Sequence, residues 1–202
     1  SVGILGTSLS GIDTVVSLAT NHGSFYLDAA GLLQYQAAAG MDAFAMTMMS
    51  RKGLLPEADF YCPIPYLPLT ICTDEAIDAL VESGRRDLLE GAFALIKQDL
   101  ATCDPYNATS IGLSLLTLED LTGAYFSKRQ DSDPFVWAAQ NLAEARNNQD
   151  NHYTVAWRYA VLRMHEVIAR IVPALDSADL ERFHKHFKTI FVDNYATVPH
   201  ES

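Results

Sequence analysis

The 202-residue sequence is 49% hydrophobic and 19% charged, which is typical of a globular protein with enough apolar side chains to bury a core. Its formal net charge of -11, from 14 basic and 25 acidic residues, argues against nucleic acid or an anionic membrane surface as a partner. Cys62, Cys72 and Cys103 form no CxxC pair, so free thiols are expected rather than disulfides or zinc. Without a signal peptide or an apolar run of about 20 residues, the expected location is the cytoplasm.

The first part of the sequence follows the order strand, glycine turn, helix, hairpin, strand. Residues 2–5 are short, apolar and β-rich, which predicts a buried strand. Apolar residues at positions 12, 15, 16 and 19 repeat with helical spacing, and Gly23 is placed to end that helix. Residues 24–39 hold two short β-rich runs around a glycine, which predicts a hairpin inserted before a second, parallel strand at residues 44–49.

The character of the sequence changes after a proline-rich loop at residues 54–73. From there the pattern is helical almost throughout, with candidate helices at residues 74–101, 109–129, 134–148, 153–172 and 177–192. The predicted fold class is therefore α/β. A Rossmann-like nucleotide-binding part with an inserted hairpin is expected in residues 1–72, and a mostly α-helical subdomain in residues 73–202.

The turn after the first strand has the spacing of a dinucleotide-binding fingerprint, with serine in place of its second glycine. The turn runs Gly6, Thr7, Ser8, Leu9, Ser10, Gly11. Gly6 allows a tight exit from the strand, and Gly11 lets the helix pack close to the sheet. The helix N-terminus then offers free amides to a pyrophosphate, and Ser8 is small enough to let phosphate approach. The alternative is a glycine turn in an α/β fold that binds no nucleotide.

The end of the second predicted strand carries Ser50, Arg51 and Lys52. An NAD site usually has an acidic residue here for the ribose hydroxyls, whereas two cations and a hydroxyl suit the additional 2′-phosphate of NADP. Arg51 could also stack on adenine. The hairpin accounts for the long spacing from the glycine turn. The alternatives are NAD as the cofactor, or a solvated basic pair that binds neither.

The other candidate residues do not form a catalytic or metal site. Asp13 lies in the first turns of its helix, where a carboxylate usually has an electrostatic or packing role. His165 and Glu166 are neighbours on a helix and do not share a face, and His184 and His186 also point apart. Trp137 and Trp157 are expected as core anchors, and no basic residue adjoins Cys62 to activate its thiol.

The turn from Gly6 to Gly11, followed by Ile12 and Asp13, resembles the NADPH motif of flavin-containing monooxygenases. Residues 2–13, 46–56 and 180–199 also resemble bacterial FAD/NAD(P)-binding proteins of the YdhS-like type. That resemblance implies a flavoprotein whose FAD domain is split around this segment. FAD would then be held by parts of the same polypeptide that this sequence lacks, and the fragment alone would be inactive. The abrupt start and end of the chain lead to the same expectation.

The leading hypothesis is thus an NADPH-binding domain of a flavin-dependent oxidoreductase, related to monooxygenases, that delivers hydride to FAD. The first alternative is a non-catalytic Rossmann-like scaffold whose helical subdomain mediates protein–protein interaction. A stand-alone NADP-dependent dehydrogenase is less favoured, since only two parallel strands are predicted and no Tyr-x-x-x-Lys or His/Asp pair is evident. The substrate stays open.

Overall fold

The computed structural model describes residues 1–29, 31 and 33–199. The chain divides into two compact units, Ser1–Pro56 and Glu57–Ser202, called here the N-terminal unit and the helical unit. Residues 57–72, which the sequence analysis grouped with the nucleotide-binding part, belong to the helical unit. Ala30 and Leu32 of the predicted hairpin, and residues 200–202, lie outside the described residues.

The N-terminal unit contains the predicted strand, helix, hairpin and second strand. In chain order its elements are β1 (Val2–Leu5), α1 (Leu9–His22), β2 (Gly23–Leu27), β3 (Leu33–Ala37) and β4 (Met46–Met49). Strand β1 pairs with β4 in parallel, in a register from Val2↔Met46 to Leu5↔Met49. Strands β2 and β3 form the antiparallel hairpin. The order strand, helix, parallel strand is the βαβ arrangement that the hydrophobic pattern predicts, with the hairpin inserted after the helix.

Strand β1 is less buried than the sequence predicts. Ile4 is 7% exposed, but Leu5 is 89% exposed and Gly3 is also exposed. The physical reason is the size of the sheet: β1 and β4 make a two-stranded sheet, whereas parallel sheets normally bury both faces under helices. The mixed α/β class is confirmed, with helix predominating. The small sheets alone do not establish a Rossmann fold.

The helical unit is built from helices joined by short connections. They are α2 (Asp74–Glu82), α3 (Leu88–Cys103), α4 (Pro105–Ser110), α5 (Leu118–Gln130), α6 (Pro134–Asp150), α7 (Ala156–Ala169), α8 (Ser177–Arg182) and α9 (Lys188–Tyr195). Short 3₁₀ turns lie at Leu113–Leu115 and Val172–Ala174, and a π-helical turn at Phe183–Phe187 joins α8 to α9. None of the helices in the described ranges combines the length and apolarity needed to cross a membrane.

Three of the predicted helices are interrupted, and local backbone geometry explains two of the breaks. The predicted helix 74–101 is two helices, because Gly84 adopts a left-handed φ of +63° just after α2. The predicted helix 109–129 begins at Leu118, since Gly112 is left-handed at +64° and the Thr117 side chain caps α5 by accepting from the Asp120 amide. The predicted helix 177–192 contains the π-helical turn.

Aromatic and aliphatic side chains from several helices fill the core of the helical unit. Phe126, Met164 and Phe187 are at most 1% exposed. The Phe187 ring meets Phe93 edge-on at 6.0 Å and Phe191 at 5.1 Å, so α3 and α9 contact the π-helical turn. Burying a side chain of this size contributes about 1.5–3 kcal/mol each.

Buried polar contacts fix the start of the helical unit onto its helices. The Glu57 carboxylate is 6% exposed and pairs with Arg129 and Arg158, each at 3.2 Å. Arg158 also donates to the Ala58 carbonyl at 2.9 Å, and the Ala58 amide donates to Oδ1 of Asn141 at 2.7 Å. These contacts explain why residues 57–72 pack with the helices although their sequence is loop-like.

Candidate nucleotide-binding site

The glycine turn leaves β1 through a backbone conformation that glycine adopts without strain. Gly6 has a φ of +113°, in the region that L side chains rarely occupy. Its amide donates to the Met49 carbonyl at 2.7 Å, so the turn begins where β1 and β4 end together. Gly6 therefore permits the tight exit from the strand that the sequence predicts.

Gly11 lies where the N-terminal turn of α1 comes against that bend. A Cβ atom at Gly11 would lie 2.6 Å from the Gly6 carbonyl oxygen and 3.1 Å from the Gly6 carbonyl carbon. Backbone atoms cannot move aside as a flexible side chain can. Only glycine fits this position, and the approach of helix to strand that the fingerprint requires is present.

The first turn of α1 presents polar groups to solvent. Ser8 is the N-cap residue, in an extended conformation, and its side chain makes no capping hydrogen bond. Ser8, Leu9 and Ser10 are exposed, and the first turn contains no acidic residue. The Gly11 amide donates to the Ser8 carbonyl at 2.8 Å. The amides before it belong to the first turn, whose amides have no acceptor within a regular helix, and the helix dipole is positive at this end. The turn can therefore bind an anion through backbone amides and the hydroxyls of Ser8 and Ser10.

The basic strand end lies next to the glycine turn. The parallel register pairs Leu5 with Met49, which places Gly6 and Ser50 at the same end of the sheet. Arg51 and Lys52 are exposed, and the Ser50 hydroxyl accepts from the Gly53 amide at 3.1 Å. All the sequence-predicted binding residues thus gather at the carboxyl ends of β1 and β4, where α/β folds bind their ligands.

A side-chain hydrogen bond connects the turn to the loop after β4. The Thr7 hydroxyl donates to the Leu54 carbonyl at 2.7 Å. Thr7 therefore holds the two segments together, whereas Ser8 and Ser10 are exposed to solvent.

The remaining sequence candidates have packing contacts. His165 stacks on Tyr195 with ring centroids 4.9 Å apart, and His184 meets Phe183 edge-on at 5.7 Å. Trp137 and Trp157 are half-buried, and Trp157 packs edge-on against Tyr125 with ring centroids 5.0 Å apart.

The three cysteines are poor nucleophiles, as expected from their surroundings. Burial, and then Asp59, raises the pKa of Cys62. Burial, and then Asp99, raises the pKa of Cys72 to about 12 and that of Cys103 to about 11. A thiolate is the reactive form, so none of these thiols is activated near neutral pH.

The raised pKa of Cys72 predicts a loss of stability at alkaline pH. The folded protein keeps this thiol protonated, whereas the unfolded chain releases the proton above its ordinary pKa of 9.0. The stabilisation is therefore complete below pH 9 and falls by about 1.4 kcal/mol per pH unit up to the folded pKa. Denaturant unfolding between pH 8 and 11 measures the effect. Cys72→Ala should flatten the fall, and Cys62→Ala, the control at a less buried thiol, should flatten it less.

Sequence reasoning missed the buried charges of the helical unit. Asp99 is 2% exposed and accepts from the backbone amides of Ile71 at 3.2 Å and Cys72 at 2.8 Å. Its position three residues after Ile96, on the apolar face of α3, was a signal that could have identified it. The ion pairs of Glu57 carry no comparable signal, because their partners lie far apart in the sequence.

Comparison with known proteins assigns the family. A family model described as the YdhS-like middle domain matches residues 73–195, which is more than half of the chain. The chain belongs to the YdhS-like middle-domain family. The resemblance to YdhS-like proteins is thereby confirmed, and the matched residues lie entirely in the helical unit.

A relative in Escherichia coli (strain K12), called "Uncharacterized protein YdhS", is 43% identical over all 202 residues. That alignment includes the glycine turn and the basic strand end, which precede the family match. The chain spans 38% of the length of this relative. No solved structure matches the chain.

Proposed function

We propose that the N-terminal unit binds NADP(H) within a flavin-dependent, monooxygenase-like oxidoreductase, and that FAD is held by another domain of the same polypeptide. The observation that carries the proposal is the close approach of Gly11 to the Gly6 carbonyl beside the basic strand end. A bend of this kind brings helix amides to a diphosphate, and the neighbouring strand end faces the adenosine ribose.

Each part of the site has a separate binding task. The amides at the start of α1 and the hydroxyls of Ser8 and Ser10 receive the pyrophosphate. Arg51 and Lys52 meet the 2′-phosphate, and the local positive charge offsets a protein whose net charge is -11. When bound, the nicotinamide supplies a hydride for the flavin. The residues of this chain bind and orient the cofactor, and none of them is assigned to the chemical step.

The preference for NADP over NAD depends on Arg51. A guanidinium binds a phosphate through paired hydrogen bonds, whereas the ribose diol of NAD is usually bound by a carboxylate. The strand end here offers Ser50, Arg51 and Lys52 and no carboxylate. The exposure of Arg51 leaves its side chain accessible to a ligand.

Replacing Arg51 by alanine should weaken NADPH binding by about tenfold or more and leave NADH binding nearly unchanged, because a charged hydrogen bond contributes about 1.5–3 kcal/mol. Isothermal titration of the chain with both nucleotides measures this difference. Arg146→Ala is the matched control, since it removes another exposed arginine, from α6. Equal affinity of the parent chain for NADPH and NADH, or no binding of either, would contradict the assignment.

The flavin part of the proposal rests on the family resemblance and on the 38% coverage of the relative. The longer polypeptide, purified with added FAD, is expected to be yellow and to lose that colour when NADPH reduces the flavin. A protein that stays colourless after addition of FAD would contradict the flavoenzyme assignment. In that case the NADPH titration of this chain would still test the nucleotide site independently.

A second candidate function is a non-catalytic scaffold whose helical unit binds another protein. Its support is the exposure of large apolar side chains in that unit, including Ile64, Leu115 and Phe135. Exposed apolar side chains of this kind favour contact with a partner surface. A colourless full-length protein together with no nucleotide binding would favour this function over the first.

A further inference from the structure

The hairpin of β2 and β3 has an apolar face and a more polar face. Two of its cross-strand pairs are apolar: Phe25–Tyr35 and Leu27–Leu33. Directly opposed residues of an antiparallel pair, and residues two apart on one strand, project from the same face. These four side chains therefore form one surface, called here the hairpin face. The pairs that alternate with them occupy the opposite face and include both glutamines of β3: Ser24–Gln36 and Tyr26–Gln34.

The hairpin face is open to solvent within the described part of the chain. The Tyr35 hydroxyl donates to the Ala19 carbonyl at 3.1 Å, so the base of the face adjoins α1. The rings of Phe25 and Tyr35 lie 5.2 Å apart, yet both stay exposed, and exposure rises from 41% at Phe25 to 67% at Leu27. An antiparallel sheet with one apolar face normally packs that face on a core. Here the apolar face is turned to water.

The N-terminal unit offers little core of its own. Among the described residues 1–56, the buried hydrophobic side chains are Ile4 and Ala19. A two-stranded hairpin by itself is marginally stable at best in water, and a domain of this size buries a small share of its surface. The cover that the hairpin face needs therefore comes from outside this unit.

The area of the hairpin face disfavours a second copy of the chain as that cover. An aromatic side chain buries roughly 150–250 Å² when fully covered, and the four side chains are 40–67% exposed, so the face offers on the order of 400 Å². A stable interface between separate molecules buries about 800 Å² on each partner. A partner joined by the chain itself needs less area, because the connection removes most of the entropy cost of association.

We propose that the hairpin face docks against a part of the same polypeptide that lies outside these 202 residues. The chain spans 38% of the length of its relative, so further polypeptide is available to cover the face. The docking partner is an apolar surface, because the single polar atom among the four side chains, the Tyr35 hydroxyl, already donates to Ala19. This docking needs neither NADP nor FAD, so its failure and the failure of the nucleotide proposal are distinguishable.

Leu27→Glu and Tyr26→Glu, made in the longer polypeptide, test the two faces separately. The residues are neighbours on β2 and both are exposed in the 202-residue chain, but only Leu27 lies on the hairpin face. A carboxylate on a docked apolar face is costly to bury, so Leu27→Glu should speed hydrogen exchange of residues 23–27 and 33–37 about tenfold or more. Tyr26→Glu should change it less than about threefold, which measures the lower strand propensity of glutamate alone. Equal effects of the two substitutions would overturn the proposal.

Hydrogen exchange of the parent proteins gives an answer even if Leu27→Glu does not fold. Peptides from residues 23–27 and 33–37 should exchange about tenfold or more slowly in the longer polypeptide than in the 202-residue chain. Peptides from α3 and α7 are the control, and their equal protection in both proteins would show that the shorter chain is folded. Equal protection of the hairpin in both would place its cover within the 202 residues and overturn the proposal.

The concentration dependence of that exchange separates the same polypeptide from a second copy. Docking within one polypeptide predicts the same hairpin protection at about 1 µM and about 100 µM protein, since no association step is involved. Protection that increases with concentration, together with a dimer in analytical ultracentrifugation, would assign the hairpin face to a second copy and overturn the proposal.

Discussion

Replacing Glu57 by glutamine is expected to lower the free energy of unfolding of the helical unit by about 3–5 kcal/mol. The substitution keeps the size of the side chain and removes its charge. Arg129 and Arg158 are then left in a buried site without the carboxylate that joins them. This is among the largest effects expected of any single substitution in the chain, because uncompensated buried charge is more costly than a lost surface contact.

Arg158 accounts for most of the expected loss. Arg129 keeps its contact with Asp193 at 3.4 Å, whereas Arg158 contacts Glu57 and the Ala58 carbonyl. Arg158 is 5% exposed, so water cannot replace the missing anion without opening the structure. Adding Arg158→Met to the Glu57→Gln variant should therefore recover part of the lost stability. An uncharged side chain at this buried position needs no ionic partner.

Urea unfolding followed by helical circular dichroism measures both variants and their double-mutant cycle. Glu119→Gln is the control, since Glu119 pairs with Arg182 at 2.7 Å on the surface. Exposed pairs contribute about 0–1 kcal/mol, so the control should stay close to the parent chain. Equal destabilisation by Glu57→Gln and Glu119→Gln, or no coupling between Glu57 and Arg158, would contradict a buried electrostatic role.

The parts of the fold that the sequence predicts well are those governed by local backbone geometry. Gly6 and Gly11 are separated by a short turn, and their roles follow from steric limits that involve a few neighbouring residues. The parallel strand β4 was also predictable, because an apolar run after a helix is typical of a βαβ unit. The same local argument placed Ser50 and Arg51 at the strand end.

The helix breaks were harder to predict because apolar periodicity continues across them. Ile77, Leu88 and Phe93 are all buried, so the hydrophobic pattern alone is compatible with one long helix. The left-handed Gly84 decides the break, and a glycine within a helical pattern is compatible with either outcome.

The unit boundary and the buried charges depend on contacts that sequence patterns do not encode. The loop before α2 belongs with the helices because its backbone is bound by distant side chains: the Ala58 amide donates to Asn141, and the Leu67 amide donates to the Tyr159 hydroxyl. In sequence these partners are ordinary polar residues of separate helices. Long-range pairing of this kind is established by packing, so its participants could not be selected in advance.

Replacing Gly11 by alanine is the substitution that tests the nucleotide site most directly. The new Cβ would lie 2.6 Å from the Gly6 carbonyl oxygen, so α1 must move away from the turn. Overpacking against backbone costs about 1–3 kcal/mol. The displaced helix amides no longer face the diphosphate, so we expect NADPH affinity to fall about tenfold or more.

The control for Gly11→Ala is Gly123→Ala, the same chemical change within α5. A Cβ at Gly123 meets nothing within 4 Å, so the alanine should stabilise the helix by about 0.5–1 kcal/mol. Hydrogen exchange of peptides from residues 1–56 and 57–202 separates the two effects: protection should fall in the first range for Gly11→Ala and rise in the second for Gly123→Ala. If Gly11→Ala binds NADPH as the parent chain does and keeps its protection, the turn does not need glycine for close approach, and the geometric basis for a diphosphate site is lost.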